Sequence, residues 1–308
     1  MQEKIGKVTL DYEFYPGEDL YSDGPVEEEL LEIARNCKDE ELNSVIAERN
    51  SWPVLYHFSH IRQNILEWLP IKKTDKVLEI GSGCGPITGV LAKKAGSVTC
   101  IDLSKMRSTI NAYRNQDCDN VKIMVGNFQD IEASLTEKYD YITLIGVFEY
   151  SEGYIGTQEP YVEMLRRIAG HLAEGGKLVI AIENRLGLKY WAGCTEDHTG
   201  KYFEGLENYP NTKGVRTFSR KELQGLIDRA GDFKTTFYYP YPDYKFPMTI
   251  YSDKRLPQKG ELKDNSCNFD RPRLQLFNEA RVYDSLVDAG LFPEFSNSFL
   301  VLVERKDG

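Results

Sequence analysis

The chain has 308 residues, 41% of them hydrophobic, with a net charge of −10 and an isoelectric point near 5.1. That length allows one large α/β domain with additions or two smaller ones, and the acidic balance argues against nucleic acid as a main partner, because phosphate binding needs basic surface. The longest apolar runs, such as 141–148 and 178–182, are too short to span a bilayer, and Met1-Gln2-Glu3-Lys4 opens no apolar leader. A cytoplasmic chain with no integral membrane segment is therefore expected. Its six cysteines (37, 84, 100, 118, 194 and 267) form no C-x-x-C pair and read as free thiols.

Residues 7–14 alternate like a short strand, and 15–24 read as a loop. Two short acidic helices follow, near 25–37 and 39–48, with Glu27-Glu28-Glu29 as a solvated helix start favoured by the helix dipole. Ser51 is placed to cap a longer helix with Trp52 and Pro53 in its first turn. Val54, Phe58, Ile61, Ile65 and Trp68 recur on one face of that helix, which ends at Leu69-Pro70. This lead-in, 1–70, is expected to pack beside a sheet and roof its ligand site. The body, 71–308, alternates strands near 76–80, 97–102, 121–126, 139–146 and 177–182 with helices near 86–94, 104–114 and 159–173. Such alternation implies βαβ units and a parallel sheet wound right-handed. Ser219 caps a helix running to Arg229, and strands follow at 233–239 and 299–303, with about 242–297 inserted between them.

The sharpest signal is Val77-Leu78-Glu79-Ile80-Gly81-Ser82-Gly83-Cys84-Gly85-Pro86, followed about 20 residues later by Val98-Thr99-Cys100-Ile101-Asp102. A buried strand runs into a turn whose glycines let backbone approach a ligand closely. Asp102 closes the next strand, where a carboxylate can accept hydrogen bonds from two ribose hydroxyls. A nucleoside is expected across the carboxyl ends of these two strands. The dinucleotide fingerprint would need glycine or alanine at position 86, where Pro86 stands, and no convincing Tyr-x-x-x-Lys pair supports an oxidoreductase.

Glu79 two places ahead of Gly81, Gly83 and Gly85 makes an E-x-G-x-G-x-G sequence that resembles motif I of the class I S-adenosylmethionine-dependent methyltransferases. The resemblance implies a Rossmann-like α/β fold: a mostly parallel seven-stranded sheet with an antiparallel last strand, a helical N-terminal lid and an insertion before that strand. It implies S-adenosylmethionine as cofactor, held by Glu79, Gly81, Ser82, Gly83, Gly85, Asp102, Leu103, Asn127, Phe128 and Gly146. Asn127 and Phe128 stand where the family brackets adenine, with Asn127 in place of the commoner aspartate. Glu149-Tyr150 stands where many relatives carry Glu-His, so the most obvious general base is missing. Leu172-Ala173-Glu174-Gly175-Gly176-Lys177-Leu178 resembles the family's turn into the fifth strand.

The flanks are similar to bacterial methyltransferases found with glycosyltransferases and surface-polysaccharide assembly. They include Tyr21-Ser22-Asp23-Gly24, Ser51-Trp52-Pro53-Val54-Leu55-Tyr56-His57, Ile182-Glu183-Asn184-Arg185-Leu186-Gly187-Leu188-Lys189-Tyr190 and Tyr239-Pro240-Tyr241-Pro242-Asp243-Tyr244-Lys245. That similarity implies O-methylation of a sugar or glycan hydroxyl, with a small-molecule or glycan acceptor and a glycosyltransferase as partners and no nucleic acid. The kinase domain and coiled coil of some relatives are missing. The alternatives are methylation of another small molecule at nitrogen or oxygen, or a cofactor-binding partner subunit of a glycosyltransferase without its own catalysis.

The segment 183–217 leaves the carboxyl end of the fifth strand and is long for a connection, which marks it as functional. Together with the helix around Tyr56 and His57 and the aromatic run 237–241, it is expected to enclose the methyl-transfer cavity. The candidates for removing an acceptor proton are Glu149, Tyr150, His57 and His198. The aromatic run reads equally as a sugar-stacking wall or as a strand packing both faces. Cys194 and His198 have i, i+4 spacing but no second ligand pair, so no metal is expected.

Overall fold

The computed structural model describes residues 1–306 apart from 20, 23 and 266–272, so Asp23 and Cys267 lie outside the described residues. The chain forms two compact units, Met1–Leu144 with Ile168–Lys177, and Ile145–Arg167 with Leu178–Gly308. The division expected at residue 70 is therefore not where the chain separates. Residues 1–70, expected as lead-in and lid, give the first unit two strands and a set of helices.

In the first unit the strands are β1 (Gln2–Ile5), β2 (Val8–Phe14), β3 (Lys76–Ile80), β4 (Ser97–Asp102), β5 (Val121–Gly126) and β6 (Tyr139–Ile145), in the order β1-β2-β5-β4-β3-β6. The pairs β2–β5, β5–β4, β4–β3 and β3–β6 are parallel, and only the β1–β2 hairpin is antiparallel. Parallel strands covered on both faces read as continuous apolar runs, and Val77, Leu78, Ile80, Val98, Cys100 and Ile101 are all buried. Helices Thr88–Lys94 and Lys105–Arg114 are the crossovers that return the chain to the same sheet end.

The lead-in helix is broken where periodicity predicts continuity. Trp52–Phe58 is helical, Ser59 is extended, and a 3-10 turn at His60–Gln63 precedes Asn64–Glu67. The Ser59 hydroxyl accepts the Ile61 N–H, so the serine side chain competes with the helical ladder and restarts the chain in a new direction. Val54 and Phe58 pack with Leu30, Ile33, Leu42, Ile110 and Cys84 of the glycine turn. Glu27, read from sequence as solvated, is buried and ion-paired to Arg107 at 2.8 Å, with the Ser22 hydroxyl donating to its other oxygen.

In the second unit the strand order is β7-β10-β8-β9, with β7 (Leu172–Glu183) entering it at Leu178, and β8 (Phe233–Tyr241), β9 (Thr249–Ser252) and β10 (Ser298–Arg305) completing it. β10 runs antiparallel to β8, and β8 antiparallel to β9. Helix Arg220–Ala230 opens on a capping box between Ser219 and Glu222. The fold is Rossmann-like, mostly parallel with an antiparallel end. The described residues hold ten strands instead of seven, because β1 and β2 extend one unit and β9, the first part of the expected insertion, extends the other.

The aromatic run of β8 is core rather than an acceptor wall. Phe237, Tyr239 and Tyr241 are buried, with edge contacts from Phe237 to Phe299, Tyr239 to Phe292 and Tyr241 to Tyr283. Cys37, Cys84, Cys100, Cys118 and Cys194 form no disulfide. Among the described residues no helix is long and apolar enough to cross a membrane.

Candidate active site

The turn leaving β3 carries three glycines with left-handed backbone, Gly81 (φ +70°), Gly83 (φ +52°) and Gly85 (φ +74°). Two of them are glycine for different reasons. A Cβ on Gly85 would sit 2.3 Å from the Asn111 side-chain oxygen, and Asn111 is locked by Thr88 and Asn115. A Cβ on Gly83 would meet nothing within 4 Å, so there the missing side chain opens space beside the turn. The Ser82 hydroxyl is buried without a hydrogen-bond partner. Asp102, ending β4, accepts the Gly83 N–H at 2.7 Å and the Ser104 N–H at 2.9 Å. Burial lifts its carboxyl above the ordinary value, against the pull of those N–H groups. Leu103, beside it, is half-buried. Open space at Gly83, an unpartnered hydroxyl and a carboxylate at a strand end suit a nucleoside with polar edges.

Glu79 lies beneath this turn and not in the open space. It is 4% exposed and accepts the Thr88 hydroxyl at 2.6 Å, with the Cys100 thiol at 3.3 Å. Burial raises its carboxyl to about 7, outweighing those two donors. Between the ordinary value of 4.5 and about 7 the folded chain holds a proton that the unfolded chain has released, so stability falls as pH rises through that window and levels off above it. Relative to Glu79→Gln, the wild-type chain is expected to lose about 2–3 kcal/mol of unfolding free energy between pH 5 and pH 8. Urea melts of both proteins at the two pH values test this, and parallel profiles would refute it.

Asn127 caps helix Phe128–Glu132 by accepting the Gln129 N–H at 3.0 Å. Phe128 is 4% exposed, so its truncation costs core packing as well as any ligand contact. His57 is buried, and burial together with the charges of Arg107, Arg62 and Arg114 holds its imidazole well below 6.5. Its Nδ1 has no partner. Arg114 donates to the carbonyls of both His57 and Cys84, which ties the lead-in to the glycine turn.

In the second unit the structure gathers three of the four proton-removal candidates. His198 Nε2 is 3.4 Å from Glu149 Oε1, and the Tyr150 and His198 rings meet edge-on at 5.5 Å. Burial alone would lower the His198 value, but the Glu149, Glu196 and Glu183 carboxylates around it raise it well above 6.5. Gly146, at the end of β6, has φ +70°, and a Cβ there would lie 2.7 Å from the Tyr244 hydroxyl, so close packing by Tyr244 requires the glycine.

Sequence reasoning marked the segment 183–217 but missed the ion pairs that its residues make around His198. Lys245 bridges Glu183 and Asp197, Lys189 binds Asp197 at 2.6 Å and faces Asp243 at 3.8 Å, and Glu196 accepts His198 Nδ1 at 2.9 Å. Burial opposes charge on both lysines, yet the surrounding carboxylates raise them above the ordinary value and keep them ionised. The signal was present: Glu183, Lys189, Asp243 and Lys245 all fall in the two flanking motifs quoted without roles. A groove of about 800 Å³ in this unit is lined by Tyr161, Phe218, Arg216, Glu152, Glu222 and Arg229, among others. It abuts the backbone of Glu149, whose carbonyl accepts the Tyr161 hydroxyl and the Arg216 N–H.

Comparison with known proteins bears on the chemistry. The ribosomal RNA small subunit methyltransferase A of Borreliella afzelii is 36% identical over 84 residues, which cover 27% of this chain and 30% of that protein. An uncharacterized methyltransferase of Staphylococcus carnosus is 28% identical over 158 residues, 51% of this chain and 68% of the other. The solved phosphoethanolamine N-methyltransferase of Haemonchus contortus is 13% identical with a TM-score of 0.49, covering 91% of this chain and 50% of that one. The partner expectation, which excluded nucleic acid, is corrected by the first of these relatives, named for a ribosomal RNA. Net charge is a sum over the whole surface, and it does not fix the charge of the patch that meets a substrate. A model of the methyltransferase domain matches residues 55–232, more than half of the chain, and the chain belongs to that family of methyltransferases.

Proposed function

We propose that this chain transfers a methyl group from S-adenosylmethionine to a hydroxyl of a sugar, in a glycan or in the ribose of a nucleic acid. The observation that carries the cofactor part is the open space at Gly83 beside the Asp102 carboxylate and the unpartnered Ser82 hydroxyl. Asp102 would hold the ribose hydroxyls, Gly81, Ser82, Gly83 and Gly85 would let backbone approach the amino-acid tail, and Leu103, Asn127 and Phe128 would border adenine. Glu79 acts through the turn by fixing Thr88, so it is a positioning residue. Bound there, the cofactor supplies a methyl already activated on a sulfonium, which leaves positioning as the protein's main task.

For the acceptor end the support is the cluster of Glu149, Tyr150 and His198 next to a groove lined by rings and charges of both signs. Rings cover the carbon face of a sugar while charged groups bind its hydroxyls. The sugar reading itself draws on the flanking motifs, and the ribosomal RNA methyltransferase among the relatives is the reason for including nucleic acid as a carrier of that sugar, its name saying nothing of the atom methylated. His57 receives no role in acceptor chemistry here, since its carbonyl and its packing serve the glycine turn.

Calorimetry is expected to show one equivalent of S-adenosylmethionine and of S-adenosylhomocysteine bound per chain. Incubation with labelled cofactor and a panel of oligosaccharides and RNA is expected to release S-adenosylhomocysteine with label on sugar oxygen. Cofactor binding without label transfer to any sugar hydroxyl, or transfer to nitrogen alone, would defeat the acceptor reading.

A further inference from the structure

We propose that Glu149, Glu183 and His198 form a site for one divalent transition-metal ion, of the Mn²⁺ or Zn²⁺ class. One donor atom from each lies within 4.8 Å of the others. His198 Nε2 is 3.4 Å from Glu149 Oε1 and 3.9 Å from Glu183 Oε2. A charge-assisted hydrogen bond would close to about 2.7–2.9 Å, whereas ligand atoms held about 2.0–2.2 Å from one ion lie roughly 3.0–3.6 Å apart. The 3.4 Å pair has the spacing of two ligands around one ion, and the 3.9 Å pair lies a few tenths of an ångström outside it.

The second observation is independent of that spacing. Glu149 Oε2 and Glu183 Oε2 both lack a hydrogen-bond partner, on residues 1% and 0% exposed. A buried carboxylate oxygen left bare is costly, and two of them beside one imidazole ask for a cation. Glu183 offers only this oxygen, since its other one is bound to Lys245.

The surroundings are those of a metal-bound histidine. Glu196 Oε1 faces His198 Nδ1 at 2.9 Å, while its other oxygen accepts the His198 and Thr199 backbone N–H groups. Tyr209 donates to Glu196 Oε1 at 3.2 Å. A carboxylate holding the Nδ1 hydrogen fixes the tautomer that presents the Nε2 lone pair to a metal. The charges agree. Counted as formal charges, Glu149, Glu183, Glu196, Asp197 and Asp243 bring five negatives against Lys189 and Lys245 with a neutral His198, a surplus of three that a dication reduces to one.

One imidazole with two carboxylates suits Mn²⁺, Zn²⁺ or their neighbours better than Mg²⁺ or Ca²⁺, which prefer all-oxygen sets. Three protein ligands leave positions open, as catalytic sites do. If the sugar-hydroxyl reading holds, those positions take acceptor oxygens, and this part rests on that reading. The site itself does not. It also departs from the expectation of no metal, because its ligands come from three segments and only His198 belonged to the Cys194–His198 pair.

The test is titration of metal-stripped protein with Mn²⁺ and, separately, Zn²⁺, read by calorimetry and thermal melting. One equivalent should bind with a rise in melting temperature. Affinity should fall at least tenfold in Glu149→Gln and in Glu183→Gln, and 10- to 100-fold in Glu196→Gln with stoichiometry unchanged. Wild-type crystals grown with Mn²⁺ cover the case of variants that do not fold: an anomalous peak bonded to His198 Nε2 supports the site, and no peak there overturns it. Absence of stoichiometric binding, or binding that the glutamine variants leave untouched, overturns it as well. A chain that binds S-adenosylmethionine but no metal defeats this proposal alone and leaves the methyl-transfer reading standing.

Discussion

Replacing Lys245 with methionine is expected to destabilise the protein by about 3–5 kcal/mol, since removing one partner of a buried ion pair leaves uncompensated charge in a low dielectric. Lys245 is the shared partner of Glu183, which is 0% exposed, and of Asp197 at 2.8 Å. Methionine keeps most of the stem and its packing, so the loss reports the charge. Melting temperature should fall by roughly 10 °C, at about 2–4 °C per kcal/mol for a chain of this size. Adding Glu183→Met to Lys245→Met should recover part of the loss, because apolar groups of similar volume can replace a buried pair at little cost. A Lys245→Met protein melting within a degree or two of wild type would show that the network contributes nothing to stability.

The second large effect is on cofactor affinity. Asp102→Ala is expected to weaken S-adenosylmethionine and S-adenosylhomocysteine binding by about a hundredfold or more. Two hydrogen bonds from ribose to a carboxylate contribute about 1.5–3 kcal/mol each, and every 1.4 kcal/mol is tenfold in affinity. The substitution also frees the Gly83 and Ser104 N–H groups that Asp102 now holds, so the turn loses its clamp. Gly83→Val should abolish binding, since its side chain would enter the space that is open beside the turn and valine disfavours φ +52°. Calorimetry giving wild-type affinity for Asp102→Ala would remove the nucleoside from this place.

Sequence alone determined the parallel strands β3 to β6 of the first unit and the glycine turn that follows β3. The apolar runs at 76–80, 97–102, 121–126 and 139–145 are buried on both faces, a pattern that a local window detects. The three alternating glycines needed no tertiary knowledge either, because left-handed backbone is a local constraint that few other residues meet. Less was legible where one residue's behaviour depends on a distant partner. The break at Ser59 hangs on a side chain choosing the Ile61 N–H over the helical ladder, and nothing in an apolar period announces that choice. Glu27 looked solvated until Arg107, 80 positions on, claimed it, and the rings of β8 could not be assigned to core or wall before Phe292, Phe299 and Tyr283 were placed. The charged cluster was legible only in part: Glu149 and His198 were named as candidates, but not that they meet. Glu149, Glu183, His198 and Lys245 come from four segments spread over nearly a hundred residues, and only the folding of the second unit brings their charges within a few ångströms. Charge at such distances is a pairwise property of space, and a linear pattern does not carry it.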